Sequence, residues 1–120
     1  PPEDSLFLST HEPCTMCASA IAWGGYRRVF YLFSHKDSRD SFAIGHDLKI
    51  LDALFRLGPG AYARDNAYWR ATGLAELIAA LPKTERGPLE ARLAALRETY
   101  AALSATYQAQ KGRAPNIVLP

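Results

Sequence analysis

The apolar positions in the first third of the chain predict a strand, a helix and a second strand. Residues 5–9 and 28–33 each contain a continuous apolar run, which is typical of strands buried on both faces. Between them Met16, Ala20 and Trp23 recur at helical spacings of four and three. A strand–helix–strand unit of this length predicts that the two strands are parallel neighbours in one sheet.

The middle of the chain is predicted to contain one helix and two irregular segments. Residues 34–41 are almost entirely polar, which predicts a surface loop. Asp47 can cap a helix that continues to Gly58, because leucines follow it at helical spacing. Residues 61–72 show no clear period and are expected to be irregular. The sequence therefore predicts only the two strands already described.

The last third is predicted to be helical. A short amphipathic helix over residues 74–81 should end at Pro82, and Pro88 suits the first turn of a long helix over residues 85–111. Large side chains recur along this last helix at alternating spacings of four and three: Leu89, Leu93, Leu96, Tyr100, Leu103 and Tyr107. We expect this seam to pack on its own domain, and the alternative is a face for a partner or a second copy of the chain.

Composition and charge narrow the class of protein. The 120 residues, 48% of them apolar, fit one folded domain over residues 1–120 rather than a disordered chain. No apolar run approaches the ~18 residues of a membrane span, so we expect no membrane insertion. Fourteen basic against twelve acidic residues give a net charge of +2, which favours a small substrate over an extended nucleic acid.

Cys14 and Cys17 are the only cysteines of the chain. Their spacing is too short for a loop-closing disulfide and indicates metal binding or redox chemistry, both compatible with a reducing cytoplasm. At the start of a helix the free amides should lower the thiol pKa, and side chains three residues apart can reach one ion. A zinc site is therefore predicted, with a thioredoxin-like redox pair and a four-ligand structural zinc as the alternatives.

Three histidines and three aromatic residues are weaker candidates for a site. His11 lies close to Cys14 but beyond Pro13, so we expect it to support the site or face solvent rather than bind the metal. His35 and His46 are expected at the surface or at helix caps. The middle segment also contains an aromatic cluster, Tyr62, Tyr68 and Trp69. We expect this cluster to pack in the core, and stacking on a flat base is the alternative.

The segment from Leu6 to Tyr31, with Glu12-Pro13 directly before Cys14, resembles the cytidine and deoxycytidylate deaminase zinc-binding family. The pattern of that family is H-x-E followed by P-C-x-x-C. The second half is present, whereas no His-x-Glu occurs in the 120 residues. The resemblance implies an α/β, three-layer α/β/α fold without its N-terminal strands and H-x-E helix. Residues 5–34 would then be a βαβ core that holds the zinc.

The resemblance also implies a reaction in nucleotide metabolism: zinc-dependent hydrolytic deamination of a nucleobase, nucleoside or nucleotide, with release of ammonia. Cys14 and Cys17 would bind the zinc, and the backbone carbonyl of Glu12 would lie near the departing amine; the Glu12 side chain as general base is a less favoured alternative. The catalytic Glu and the third zinc ligand are expected on an upstream segment or a partner chain. The competing hypothesis is a non-catalytic deaminase-fold scaffold or partner subunit.

Overall fold

A computed structural model describes residues 1–113, which form a parallel sheet of three strands with helices packed on it. The first unit is β1 (Leu6–His11), α1 (Thr15–Trp23) and β2 (Arg28–Phe33). It is followed by α2 (His35–Asp40), α3 (His46–Phe55), β3 (Arg70–Gly73), α4 (Leu74–Ala79) and α5 (Lys83–Gln110). The predicted α/β class is confirmed, and residues 114–120 of the predicted domain lie outside the described residues.

Parallel pairing of β1 and β2 is confirmed by their register, in which Leu6 lies opposite Arg28 and His11 opposite Phe33. The order of strands is β1-β2-β3, so β2 is central. Burial of β1 on both faces was a wrong expectation, because Leu6 and Leu8 are 60% and 67% exposed. One face of β1 is therefore uncovered within the described residues.

The prediction that residues 61–72 are irregular is wrong at their end, where β3 begins. This strand pairs in parallel with β2, with Ala71 opposite Val29 and Gly73 opposite Tyr31. Its four residues, Arg-Ala-Thr-Gly, have little intrinsic preference for a strand. Pairing with the buried central strand therefore decides their conformation.

The core lies where α1 covers the central strands. Its buried members are Ile21, Val29, Tyr31, Trp69 and Ala71. A second aromatic group lies at the carboxyl ends of β1 and β2, where Phe33, Phe42 and Tyr100 contact one another and His11. These two clusters fix α1, α5 and the ends of the strands relative to one another.

The prediction of a surface loop at residues 34–41 is wrong, because α2 occupies most of it. Its start is a capping box: the Ser34 hydroxyl accepts from the Asp37 amide at 3.2 Å, and the Asp37 carboxylate accepts from the Ser34 amide at 2.9 Å. The next helix, α3, begins at His46 and ends at Phe55, before the predicted Gly58. Its end is set by Arg56, whose φ of 56° is left-handed.

The last helix, α5, begins at Lys83, two residues before the prediction, and ends at Gln110. Pro88 is therefore its sixth residue rather than part of its first turn. One side of α5 binds its own domain, where Ser104 donates to the Phe42 carbonyl and Gln108 donates to the Ala43 carbonyl. Much of the predicted seam is nevertheless exposed: Leu89, Leu96, Leu103 and Tyr107.

Among residues 1–113 no helix is both long and apolar enough to cross a membrane.

The ion pair between Arg97 of α5 and Asp37 of α2 predicts a pH dependence of stability. Partial burial disfavours the charged carboxylate, but the hydrogen bonds from Arg97 and Ser34 outweigh it and lower the pKa of Asp37. A lowered pKa contributes stability above the ordinary pKa of aspartate, and this contribution is lost as the pH falls through the folded value. Because both groups are partly exposed, we expect the ion pair to contribute about 1 kcal/mol to the free energy of unfolding.

Urea unfolding as a function of pH measures this contribution. From about pH 5 downward, the free energy of unfolding should decrease less steeply in Asp37→Asn than in the wild type. Asp40→Asn is the matched control, because its partner Arg39 lies on the same helix at the surface. Equal slopes for all three proteins would contradict a stabilising role of the ion pair.

Candidate functional site

Cys14 and Cys17 lie together at the start of α1. Cys14 is the residue directly before the helix, with extended backbone, and Cys17 belongs to the first turn. Both are free thiols, and both line a cavity of about 420 Å³ between α1 and β1. The structure thus brings together the two sulfurs that the sequence singled out.

The expectation that the helix start lowers the thiol pKa is wrong for Cys17 in the metal-free chain. Partial desolvation of its sulfur raises the pKa of Cys17, and the hydrogen bond and charge of Cys14 raise it further. Two thiols this close cannot both ionise easily without a cation between them, since each thiolate repels the other. The pair therefore suits a divalent ion better than two independent thiolates.

His11 and Asp47 line the same cavity but do not complete a metal site. Within residues 1–113 no group of three or more His, Cys, Asp or Glu side chains is placed to hold one ion. The His11 ring packs on Phe33 and Tyr100, and burial lowers its pKa, so that it is neutral at pH 7. Its Nε2 is buried and has no hydrogen-bond partner in the described part of the chain.

The Glu12 side chain is buried and lies beside the start of α2. Its Oε2 accepts from the backbone amide of His35 at 2.8 Å, and its Oε1 is buried without a partner in the described residues. The backbone amide of Glu12 continues the sheet by donating to the Phe33 carbonyl at 2.7 Å. The Glu12 carbonyl takes part in none of the hydrogen bonds found among residues 1–113. This carbonyl remains available as an acceptor.

The sequence predicted His35 at the surface or at a helix cap. It is the first residue of α2, but it is only 2% exposed and holds the chain before Cys14. The Gly60 amide donates to its Nδ1 at 3.0 Å, so Nδ1 carries no proton. The other ring nitrogen, Nε2, donates to the Pro13 carbonyl at 3.1 Å. These two partners assign the neutral Nε2–H tautomer, and the 3.8 Å approach of Nδ1 to the Glu12 carboxylate is therefore not an ion pair.

Tyr62 completes this network from the segment after α3. Its hydroxyl donates to the same Pro13 carbonyl at 3.0 Å, and its ring contacts His35. Burial, and next the Glu12 carboxylate, raise the pKa of Tyr62, so the phenol stays protonated and can donate. The Pro13 carbonyl thus accepts from two side chains, and the peptide that leads into Cys14 is held in place.

The aromatic cluster divides between core and surface. Trp69 is buried, as expected of a core residue, and its indole Nε1 donates to the Ala63 carbonyl at 3.0 Å. Tyr62 packs against the same core, whereas Tyr68 is 73% exposed. The sequence did not predict the roles of His35 and Tyr62. Each lies in a segment without a regular spacing of apolar residues, and each acts through contacts with residues distant in the sequence.

No family model matches this chain, and no curated protein or solved structure is detectably similar to it. Function is therefore inferred from the residues of the site. The site holds two adjacent thiols, a carbonyl without a partner at Glu12, and a network that fixes the Pro13 peptide between them.

Proposed function

We propose that this chain forms the cysteine half of the zinc site of a deaminase that hydrolyses the amino group of a nucleobase, nucleoside or nucleotide. The observation that carries the proposal is the adjacency of Cys14 and Cys17 at the start of α1, in a cavity beside the sheet. The resemblance of the Glu12–Cys17 segment to the deaminase family supplies the reaction class.

The two thiols suit zinc, but they are an incomplete set of ligands. Two thiolates are ligands that zinc binds well, and a catalytic zinc has three protein ligands and one open position. Residues 1–113 supply two of the three, and none of the 120 residues forms a His-x-Glu motif. We infer that the third ligand and the general acid/base belong to a segment or subunit outside these residues.

Each residue of the site has a part in this proposal. Zinc held by Cys14 and Cys17 would lower the pKa of a bound water toward ~7 and so supply a nucleophile at neutral pH. His35 and Tyr62 hold the Pro13 carbonyl and thereby fix where Cys14 begins the helix. The Glu12 carbonyl, which has no donor among the described residues, would accept a hydrogen bond from the amino group of the base.

The uncovered side of β1 supports the presence of further structure around the site. Within the described residues β1 pairs only with β2, which leaves its other edge unpaired beside the cavity and Leu6 and Leu8 exposed. Exposed strand edges are usually covered or paired in native proteins. An added strand and helix at this edge would place their side chains against Cys14 and Cys17.

The free thiols suit a reducing cytoplasm, which we propose as the location.

The alternative function is a non-catalytic scaffold that retains the deaminase fold and its metal. The absence of a His-x-Glu motif from the 120 residues favours this candidate. It predicts zinc binding without ammonia release. The two candidates therefore differ in activity and agree in metal content.

Ammonia release separates them. The natural protein that contains residues 1–120, loaded with zinc, is assayed on amino-bearing bases, nucleosides and nucleotides. We expect release from one substrate class, and at least ~10²-fold slower release from residues 1–120 alone, because general acid–base catalysis contributes ~10²–10⁴-fold. Full activity of residues 1–120 alone would contradict the assignment of the acid/base to another segment. A zinc-loaded natural protein inactive on the whole panel would support the scaffold.

A further inference from the structure

The long helix α5 contains a seven-residue repeat. Residues 88–94, 95–101 and 102–108 read Pro-Leu-Glu-Ala-Arg-Leu-Ala, Ala-Leu-Arg-Glu-Thr-Tyr-Ala and Ala-Leu-Ser-Ala-Thr-Tyr-Gln. The second position of each repeat is leucine, and the sixth is leucine or tyrosine. A strict period of seven keeps side chains on one stripe when two helices run side by side, because it matches the 3.5 residues per turn of such a pair. The repeat therefore indicates a helical partner along the length of α5.

The domain itself uses only one of the two positions. At the sixth position, Tyr100 packs on the rings of His11 and Phe33 at the ends of the strands. The second position forms a leucine stripe, in which Leu89, Leu96 and Leu103 are 37%, 40% and 59% exposed. The helix α4 packs against α5, but its six residues are too few to cover three repeats. The leucine stripe is therefore open over most of the length of α5 in the described part of the chain.

The surface beside the leucine stripe is uncharged in the second half of the helix. No charged residue occurs from 99 to 110. Thr99 and Thr106 flank the stripe, because each follows a leucine of the stripe by three residues, and Ala95 and Ala102 precede these threonines by four. All four side chains are small and exposed. Such a surface has nothing to attract phosphate groups, whereas its small side chains allow a second helix to approach closely.

We propose that a second copy of this chain covers the leucine stripe, so that two α5 helices pair antiparallel across a two-fold axis between residues 99 and 100. In this register Leu96 of each copy packs on Leu103 of the other, since the two positions are equally far from the axis. Arg92 of each copy likewise lies over the Tyr107 ring of the other, which is a favourable contact of a cation with an aromatic face. A two-fold interface sets one surface against itself and requires such self-complementarity.

The charges at the two ends of α5 agree with the antiparallel direction. Glu85 of the first turn lies on the line of the stripe, four residues before Leu89, while Arg86 beside it pairs with Glu90 of its own helix. The short helix that follows α5 is basic and has no acidic residue in its first turn. Antiparallel pairing brings Glu85 of one copy to the basic end of the other, whereas parallel pairing would set the two basic ends side by side.

The size of the paired surface sets the expected affinity. A helix of 28 residues is about 42 Å long and ~10 Å wide, so the covered strip is on the order of 400 Å² per copy. This is below the ~800 Å² per partner of a standard interface and is typical of weak association, for which we expect a dissociation constant on the order of 10 μM. No residue of α5 lines the cysteine cavity, so the pairing rests neither on zinc nor on the proposed reaction.

Sedimentation equilibrium of the natural protein that contains residues 1–120 tests the pairing. At about 200 μM, well above that constant, the wild type should have nearly twice the mass of Thr99→Arg, because the two arginines repel each other at the axis. Ala94→Arg is the matched control and should keep the mass of the wild type, since Ala94 is exposed and turned about 140° away from Thr99 on the same helix. Equal masses of the wild type and Thr99→Arg, or an equal loss of mass in both variants, would overturn the proposal.

A charge exchange tests the antiparallel register and does not depend on how Thr99→Arg folds. Leu96→Glu and Leu103→Lys should each weaken the pairing at least tenfold, because each sets a charge against a leucine twice. When the two variants are mixed, one contact becomes Glu against Lys and the other stays Leu against Leu, so a mixed dimer should form. Both positions are exposed in one chain, so the new charges can reach water there. Failure of the mixture to associate would contradict this register.

Discussion

Replacing Cys14 or Cys17 with Ala is expected to reduce the zinc content of the natural protein from about one ion per site to near zero. The two thiols are the only cysteines of the chain and line one cavity, so no other thiol can substitute for either. Loss of a hydrogen-bond partner behind a ligand already lowers metal affinity by ~10–100-fold, and loss of the ligand should lower it at least as much. Metal analysis after dialysis measures the change.

Thr15→Ala is the matched control, because Thr15 lies between the two cysteines in the sequence but does not line their cavity. Its zinc content should equal that of the wild type. Zinc should also shield both thiols from alkylating reagents until a chelator is added. Undiminished zinc in both cysteine variants would rule out the assignment, and a reversible disulfide in a metal-free natural protein would favour an oxidoreductase instead.

The second large effect is expected at His35, whose replacement by Ala should lower the free energy of unfolding by about 3 kcal/mol. The change leaves a cavity at a buried position and removes the acceptor of the Gly60 amide. It also removes one of the two donors to the Pro13 carbonyl, so the start of α1 loses a restraint. Urea unfolding of the two proteins measures the loss of stability.

Two further variants make this test specific. His46→Ala changes a histidine at the start of α3 that makes no hydrogen bond through its side chain among residues 1–113, and it should cost far less. His35→Gln keeps an N–H donor that can reach the Pro13 carbonyl, so it should retain part of the stability and of the zinc affinity. Equal effects of His35→Ala and His46→Ala would contradict the restraining role of His35.

The elements that were predicted correctly are those whose signal is local. The local sequence is enough to recognise the apolar runs of β1 and β2 and the helical spacing of α1 between them. The missed elements depend on partners elsewhere: β3 is a strand because β2 lies beside it, and α2 has a capping box but no apolar period. Propensity and periodicity report only what a segment prefers by itself.

The same division holds within the candidate site, and it has the same physical cause. Spacing alone determined that Cys14 and Cys17 share one side at the start of a helix, because three residues make nearly one turn. Only the tertiary structure decided that His35, Gly60 and Tyr62 converge on the Pro13 peptide. These hydrogen bonds join residues 22 to 49 positions apart, and burial makes each of them necessary, since an unpaired polar group inside the protein is costly. Such pairs leave no regular pattern along the sequence, because their partners come together only when the chain folds.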